Sequence, residues 1–150
     1  MKILVLNGPN MNLLGIREPD VYGAVTFQKL LDNIYNYGKK NNLEIRCLQS
    51  NHEGVLIDAV QNAYRQKYDG IVINPAAYTH TSIAIRDAIK AVHIPTVEVH
   101  ISDIDKREDF RKINYIKDVV VHSIVGHGIN GYLEALEYLQ NRAANNVGRN

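Results

Sequence analysis

The 150-residue chain has one cysteine, no tryptophan, no real excess of either charge and no long apolar run. A lone Cys47 has no internal partner for a disulfide, which fits a reducing compartment and the role of a small buried hydrophobe. Lysine plus arginine number 17 against 16 aspartate plus glutamate. The resulting charge of +1 offers no field for nucleic acid or an anionic membrane, so any anion binding must be local. The apolar opening Ile3-Leu4-Val5-Leu6 is too short for a signal peptide or a membrane span, and Asn-Gly-Pro-Asn follows it. A soluble, cytoplasmic protein is expected. The histidines and the cysteine lack zinc-ligand spacing, there is no Gly-x-Ser-x-Gly elbow, and the first loop has neither an acidic phosphorylation cluster nor a Ser/Thr-rich flavin cradle. Neither a metal nor a cofactor is expected.

What is present is a series of five β-then-α units. Residues 2–6 form an apolar run, as in a parallel strand covered on both faces. Thr26 is a candidate N-cap for a helix carrying Phe27, Leu30, Leu31 and Ile34 inward. Leu43 to Gln49 is a second strand, and Gly54 to Lys67 a helix with Val55, Leu56, Ala59, Val60, Ala63 and Tyr64 as its apolar stripe. A third strand, Ile71-Val72-Ile73, stops at Asn74-Pro75. Thr81 or Ser82 caps a helix whose inward face is Ile85, Ala88, Ile89 and Val92. Thr96 to Val99, ending at His100, is strand four, and Asp103 to Lys112 a charged loop with a short helix. Val119 to Val125 is strand five, leading to a helix with Leu133, Leu136 and Leu139. Asn141 to Asn150 reads as a polar, fraying tail. The 45% hydrophobic content suits one domain over 1–150, burying roughly 70% of its unfolded surface. The expected fold is α/β: a three-layer, flavodoxin-like arrangement with a five-stranded parallel sheet in the order 2-1-3-4-5 and helices on both faces.

In such sheets ligands bind beyond the carboxyl ends of the strands, near the switch point. That rule selects the loops starting at Asn7, Asn74 and His100, which also hold the densest polar chemistry. The first, Asn7 to Gly23, carries three Gly, two Pro and three Asn, and so is neither helix nor central strand. It contains Arg17 and Tyr22. These are compatible with an ordinary packed tyrosine and a solvated charge, or with a phenolate base. A tyrosine pKa near 10 must fall by about 4 kcal/mol to work near 7. A cation at about 4 Å supplies about 1 kcal/mol in bulk water and about 4 at an effective dielectric near 20. The pair therefore works only in a closed, dry site. His100 is either a structural histidine or an acid–base group; Glu98, two residues earlier on the same strand face, can orient it. Asn74 to Ser82 is a strand-to-helix turn, where Asn74 and His80 add directed hydrogen bonds near a helix N-terminus. Gly126-His127-Gly128-Ile129-Asn130-Gly131 matches a dinucleotide fingerprint, yet no strand follows to carry the acidic ribose partner.

These residues are shared with a known family. Asn7 to Gly15, Arg17 to Gly23, Gln-Ser-Asn-His-Glu-Gly at 49–54, Asn-Pro-Ala-Ala-Tyr-Thr-His-Thr-Ser at 74–82, Glu-Val-His-Ile-Ser at 98–102, Arg107, Arg111 and 126–132 follow in order. Over residues 3 to about 139 the chain closely resembles type II 3-dehydroquinate dehydratase of the shikimate and quinate pathways. The resemblance implies an anti elimination of water from 3-dehydroquinate through an enolate, without metal, cofactor or Schiff base. Tyr22 would be the base, with Arg17 stabilising its phenolate. Asn10 would hold a water that stabilises the enolate, and His100 would protonate the departing hydroxyl. Asn74 and the backbone of Ile101 and Ser102 would bind the substrate carboxylate, His80 and Arg111 the ring hydroxyls, with Glu98, Ala77 and Arg107 in support. Trimers would assemble into dodecamers, Asp87 reaching into a neighbouring subunit's site. Asn7 to Gly15 would then be a fixed floor and Ile16 to Gly23 a moving part that brings the base.

Four positions depart from the usual pattern: Asp103 in place of Asn, His127 of Phe or Leu, Ala76 of Gly and Asn114 of Ser. None is expected to touch a catalytic atom, although Asp103 adds a charge beside the carboxylate-binding turn. The competing reading, which the fold alone permits, is a flavodoxin-like ligand- or flavin-binding domain without dehydratase activity; an idle homologue kept as an assembly subunit is a third.

Overall fold

Alternation along the strands builds the two faces of the sheet. The computed structural model describes residues 1–16, 18, 20 and 24–148. Its strands are β1 (Lys2–Asn7), β2 (Glu44–Gln49), β3 (Gly70–Asn74), β4 (Thr96–His100) and β5 (His122–Val125), and its helices are α1 (Phe27–Lys40), α2 (Glu53–Arg65), α3 (Ile83–Val92) and α4 (Asn130–Val147). All strand pairs are parallel, in the order β2-β1-β3-β4-β5. Ile3 and Val5, with Val72, Val97 and Val99, face α1 and α4. Leu4 and Leu6, with Ile71 and Ile73, face α2 and α3. Each of these side chains, fully buried, contributes about 1.5–3 kcal/mol.

Both expected caps form. Thr26 accepts from the Lys29 N–H at 3.1 Å, and Ser82, not Thr81, accepts from the Ile85 N–H at 2.9 Å. On α3 the inward residues Ile85, Ala88, Ile89 and Val92 are buried as expected. On α2, Leu56, Ala59, Val60 and Ala63 are buried, but Val55 and Tyr64 are exposed. The helix is covered on a narrower arc than the apolar residues span, because it packs only on the sheet and α3.

Two boundaries differ from the sequence reading. β5 begins at His122, not Val119, because its only neighbour is β4 and that pairing starts at Val97 opposite His122. Upstream, the Val119 N–H turns back to Ile116 O at 3.0 Å, and Val119 and Val120 pack over the α2–α3 side. The final helix continues through Asn141–Val147, read from its polarity as tail. Arg142, Ala143 and Ala144 are good helix formers, and no glycine intervenes before Gly148.

The register fixes the upper rim of the sheet. Asn7 of β1 lies opposite both Gln49 of β2 and Asn74 of β3. Three side-chain amides thus stand in one row at the carboxyl ends, where the apolar run of each strand stops.

Candidate active site

The loop after β1 is pressed onto the loop after β3. The Gly8 N–H donates to Asn74 O at 2.8 Å, and a Cβ on Gly8 would lie 2.4 Å from Pro75 O, so only glycine fits. Beyond it Met11 and Leu14 are buried, and Leu14 O accepts from the Phe27 N–H. This is the floor expected of Asn7 to Gly15. Asn10 and Ala76 sit at φ of 68° and 52°, left-handed conformations that a side chain adopts at a cost. That explains why a glycine suits position 76 and why Ala76 is the costlier occupant. Asn10 is held from the side by β2's extension: its N–H donates to Asn51 Oδ1 at 3.0 Å.

Between these loops and the segment after β4 lies an open cleft of about 450 Å³, counting the space open to solvent at its mouth. Asn10, Asn74, Ala77, His80, His100, Ile101, Ser102, Arg107 and Arg111 all line it, together with Pro9, Met11, Ala76 and Ile104. Asp87 does not; it is exposed on α3. Arg17 and Tyr22 lie outside the described residues.

Glu98 and His100 are buried side by side on β4, 0% and 4% exposed, with His100 Nε2 at 2.8 Å from Glu98 Oε2. Glu98 also accepts from Thr79 Oγ1, from Asn114 Nδ2 at 2.9 Å and from Ser123 Oγ at 3.3 Å. Burial pushes its carboxyl up, but the bond and charge of His100, with Thr79 and Asn114, together outweigh burial and hold it below the ordinary value. An ionised carboxylate only accepts, so His100 carries its hydrogen on Nε2 and leaves Nδ1 for the cleft.

His80 has the opposite arrangement. Its Nδ1 is 2.6 Å from Ile113 O, which only accepts, so this nitrogen carries the hydrogen. Burial lowers its pKa, the carbonyl bond raises it, and His100 and Arg111 lower it further. His80 is therefore a neutral imidazole with Nε2 as acceptor, suited to a hydroxyl.

Asn74 belongs to a buried network that the sequence reading missed. Its Nδ2 donates to Tyr132 Oη at 2.9 Å and approaches Met11 Sδ at 3.4 Å, while its Oδ1 accepts from the Ala76 N–H. Tyr132 Oη in turn donates to Asn7 Oδ1 at 2.6 Å. Thioether sulfur is a weak acceptor, so the amide hydrogen on Met11 is the one a carboxylate can claim. Tyr132 is fully buried, which pushes its phenol well above the ordinary value despite Asn74. It is a neutral donor, not a base. A tyrosine among leucines on the inner face of the last helix was the available signal.

The glycine turn after β5 has a use other than a dinucleotide. The Gly126 and Gly128 N–H groups donate to His100 O and Ile101 O at 3.0 and 3.1 Å, from φ of 82° and 62°. They clamp the backbone of the expected carboxylate-binding turn. Of the departures, His127 pairs with Glu134 at 2.8 Å, outside the cleft lining. Asp103 caps the Asp105 N–H and lies 3.6 Å from Lys106 Nζ, which offsets its charge. Asn114 bonds the supporting carboxylate Glu98, which in turn bonds His100.

Fold and cleft together place the chain in the doubly wound parallel α/β class, with polar and titratable side chains gathered at the strand ends. The family model for dehydroquinase class II matches residues 1–140. A 3-dehydroquinate dehydratase of Clostridium perfringens is 54% identical over 142 residues, 95% of this chain and 99% of that one. A catabolic 3-dehydroquinase of Talaromyces marneffei is 53% identical, over 91% of this chain and 77% of its own. The crystal structure of type II dehydroquinase from Butyrivibrio crossotus superposes with a TM-score of 0.92 at 52% identity, covering 93% of this chain and 97% of that one. The chain belongs to the class II dehydroquinase family.

Proposed function

We infer that this chain is a type II 3-dehydroquinate dehydratase, a hydro-lyase that removes water from 3-dehydroquinate to give 3-dehydroshikimate. The observation that carries the mechanism is the saturated Glu98–His100 pair on the cleft wall. Removing a proton beside a ketone needs a base, and expelling hydroxide needs an acid. His100, its Nε2 hydrogen held by Glu98, carries a second hydrogen on Nδ1 and gives that one to the departing hydroxyl. Tyr22 is the base that forms the enolate, its phenolate stabilised by Arg17. Asn10 holds the water that meets the enolate oxygen. Asn74, with the Ile101 and Ser102 backbone, binds the carboxylate, and His80 and Arg111 take the ring hydroxyls. Ala77 and Arg107 support the cleft.

The assembly proposed is a dodecamer of trimers, with Asp87 serving a neighbouring subunit's site. Its exposure, away from its own cleft, suits that role. The cytoplasm is the compartment proposed, which the unpaired Cys47 fits; no helix among the described residues is long and apolar enough to cross a membrane.

The test is turnover of 3-dehydroquinate by the purified protein, followed as the rise of the enone's ultraviolet absorbance, before and after borohydride treatment in the presence of substrate. Turnover that survives borohydride is expected, because no lysine forms a Schiff base. Absence of turnover, or a yellow protein that binds flavin, would replace the dehydratase with a ligand-binding domain.

A further inference from the structure

Glu98 carries more hydrogen bonds than an orienting carboxylate needs. Each of its oxygens takes two: Oε2 from His100 and Thr79, and Oε1 from Asn114 and Ser123. Thr79 comes from the turn after β3, Ser123 from β5 and Asn114 from the segment that leads into β5. The Asn114 donor is the one whose orientation is fixed from behind. Its Oδ1 accepts from the Ile116 and Lys117 N–H groups at 2.8 and 3.0 Å, so the amide can turn only its nitrogen to Glu98. The Tyr115 N–H, bonded to Thr79 O at 2.9 Å, ties the same segment to the turn that supplies Thr79.

We propose that Asn114 is a positioning residue for the dehydration: through Glu98 it keeps one hydrogen of His100 on Nε2 and so aims Nδ1, with the proton to be transferred, at the cleft. Asn114 is not among the residues that line the cleft. Its effect passes through a carboxylate that is 0% exposed and has no water to replace a lost donor. The proposal rests on His100 being the proton donor of the reaction above.

The direction of the effect follows from counting protonation states of the pair. Every state with ionised Glu98 loses a partner when the Asn114 donor is removed, whereas the state with protonated Glu98 loses little. The pair therefore holds its last proton more tightly, and the pKa that rises belongs to the pair. The other groups around it are His80 from the Ala76–His80 turn and Arg107 and Arg111 from the segments after β4, with Thr79 and Ser123 as neutral donors. Neither arginine bonds Glu98 directly, so neither replaces the amide.

Asn114→Asp removes the donor and adds a charge beside Glu98. It keeps the size and the oxygen that caps Ile116 and Lys117, and it sets a second carboxyl against Glu98. The kcat profile against pH should move its Glu98–His100 limb upward, because the pair loses a donor to its ionised form and the second carboxyl favours its extra proton. KM should change little. Asn114→Ser keeps a capping oxygen on a shorter side chain and should shift the limb in the same direction by less; it decides the matter if the aspartate variant does not fold. The His100 ring nitrogens, followed by ¹⁵N NMR in the ligand-free protein, should titrate higher by the same amount. A purely structural role would lower the melting temperature and leave both titrations in place, and that result would overturn the proposal. A moved ring titration with an unmoved rate profile would uphold the hold of Asn114 on the pair and remove His100 from the acid role.

Discussion

Asn74, Glu98 and His100 stand on the last residues of central strands, buried, with their polar atoms bonded to other buried groups. Arg107 and Arg111 line the same cleft from short 3-10 segments, and their partners are the surface carboxylates Glu18 at 3.2 Å and Glu108 at 2.6 Å. The first wall is set by the register of a parallel sheet, so its atoms move only if strands move. The second is set by ion pairs that water and salt weaken. Groups that transfer protons need fixed distances; groups that grip hydroxyls tolerate adjustment while substrate enters.

If the strand wall is where the chemistry is fixed, breaking it should cost most. His100→Ala should lower kcat by roughly 10²- to 10⁴-fold, the range for a lost general acid, with KM nearly unchanged. Tyr132→Phe leaves the Asn7 and Asn74 amides short of a partner in a buried place. It should lower stability by about 1–3 kcal/mol, read as a fall in melting temperature, and raise KM through a loosened Asn74.

Acid should weaken the fold around the cleft through two groups in turn, His80 of the turn after β3 and Glu98 of the strand wall. The His80 pKa lies below its ordinary 6.5 in the folded chain, so the unfolded chain takes the proton first. Its contribution is complete above about pH 6.5 and is lost as pH falls below that. Glu98 lies below its ordinary 4.5 when folded, so its contribution holds above that value and is lost as pH falls through the lower folded one. Urea midpoints should therefore hold above about pH 6.5, fall below it as His80's contribution is lost, and fall again below about pH 4.5 as Glu98's is lost.

On the arginine wall the changes should be small. Glu108→Gln removes an exposed partner of Arg111 and should alter KM by no more than about fivefold, less at high salt. Asp103→Asn keeps the cap on Asp105 and removes a charge that Lys106 already offsets. It should lower KM by about twofold or less.

Much of the strand wall was legible from sequence for a physical reason. Apolar runs that stop at Asn7, Asn74 and His100 mark strand ends, and in parallel sheets strand ends meet at one rim. The same periodicity says which face a residue is on but not whom it meets. Tyr132 and Asn7 are 125 residues apart, and the packing of α4 on β3 and β4 brings them together. Asn114 reads as a loop polar residue until the turn at 114–117 shows its amide held from behind. The start of β5 and the end of α4 were misread because polarity and β-branching report local preference, whereas the neighbouring strand and the helix-forming alanines decided. Arg17 and Tyr22 were singled out by sequence and family resemblance alone.

The central claim is that the strand wall supplies the acid and a separate residue supplies the base. Exchange of the substrate's α-hydrogen with D₂O reports proton abstraction without dehydration, and comparing it in His100→Ala and Tyr22→Phe separates the two. His100→Ala should keep exchange while losing dehydration, and Tyr22→Phe should lose both. Dehydration that persists in His100→Ala, or exchange that persists in Tyr22→Phe, would contradict the account.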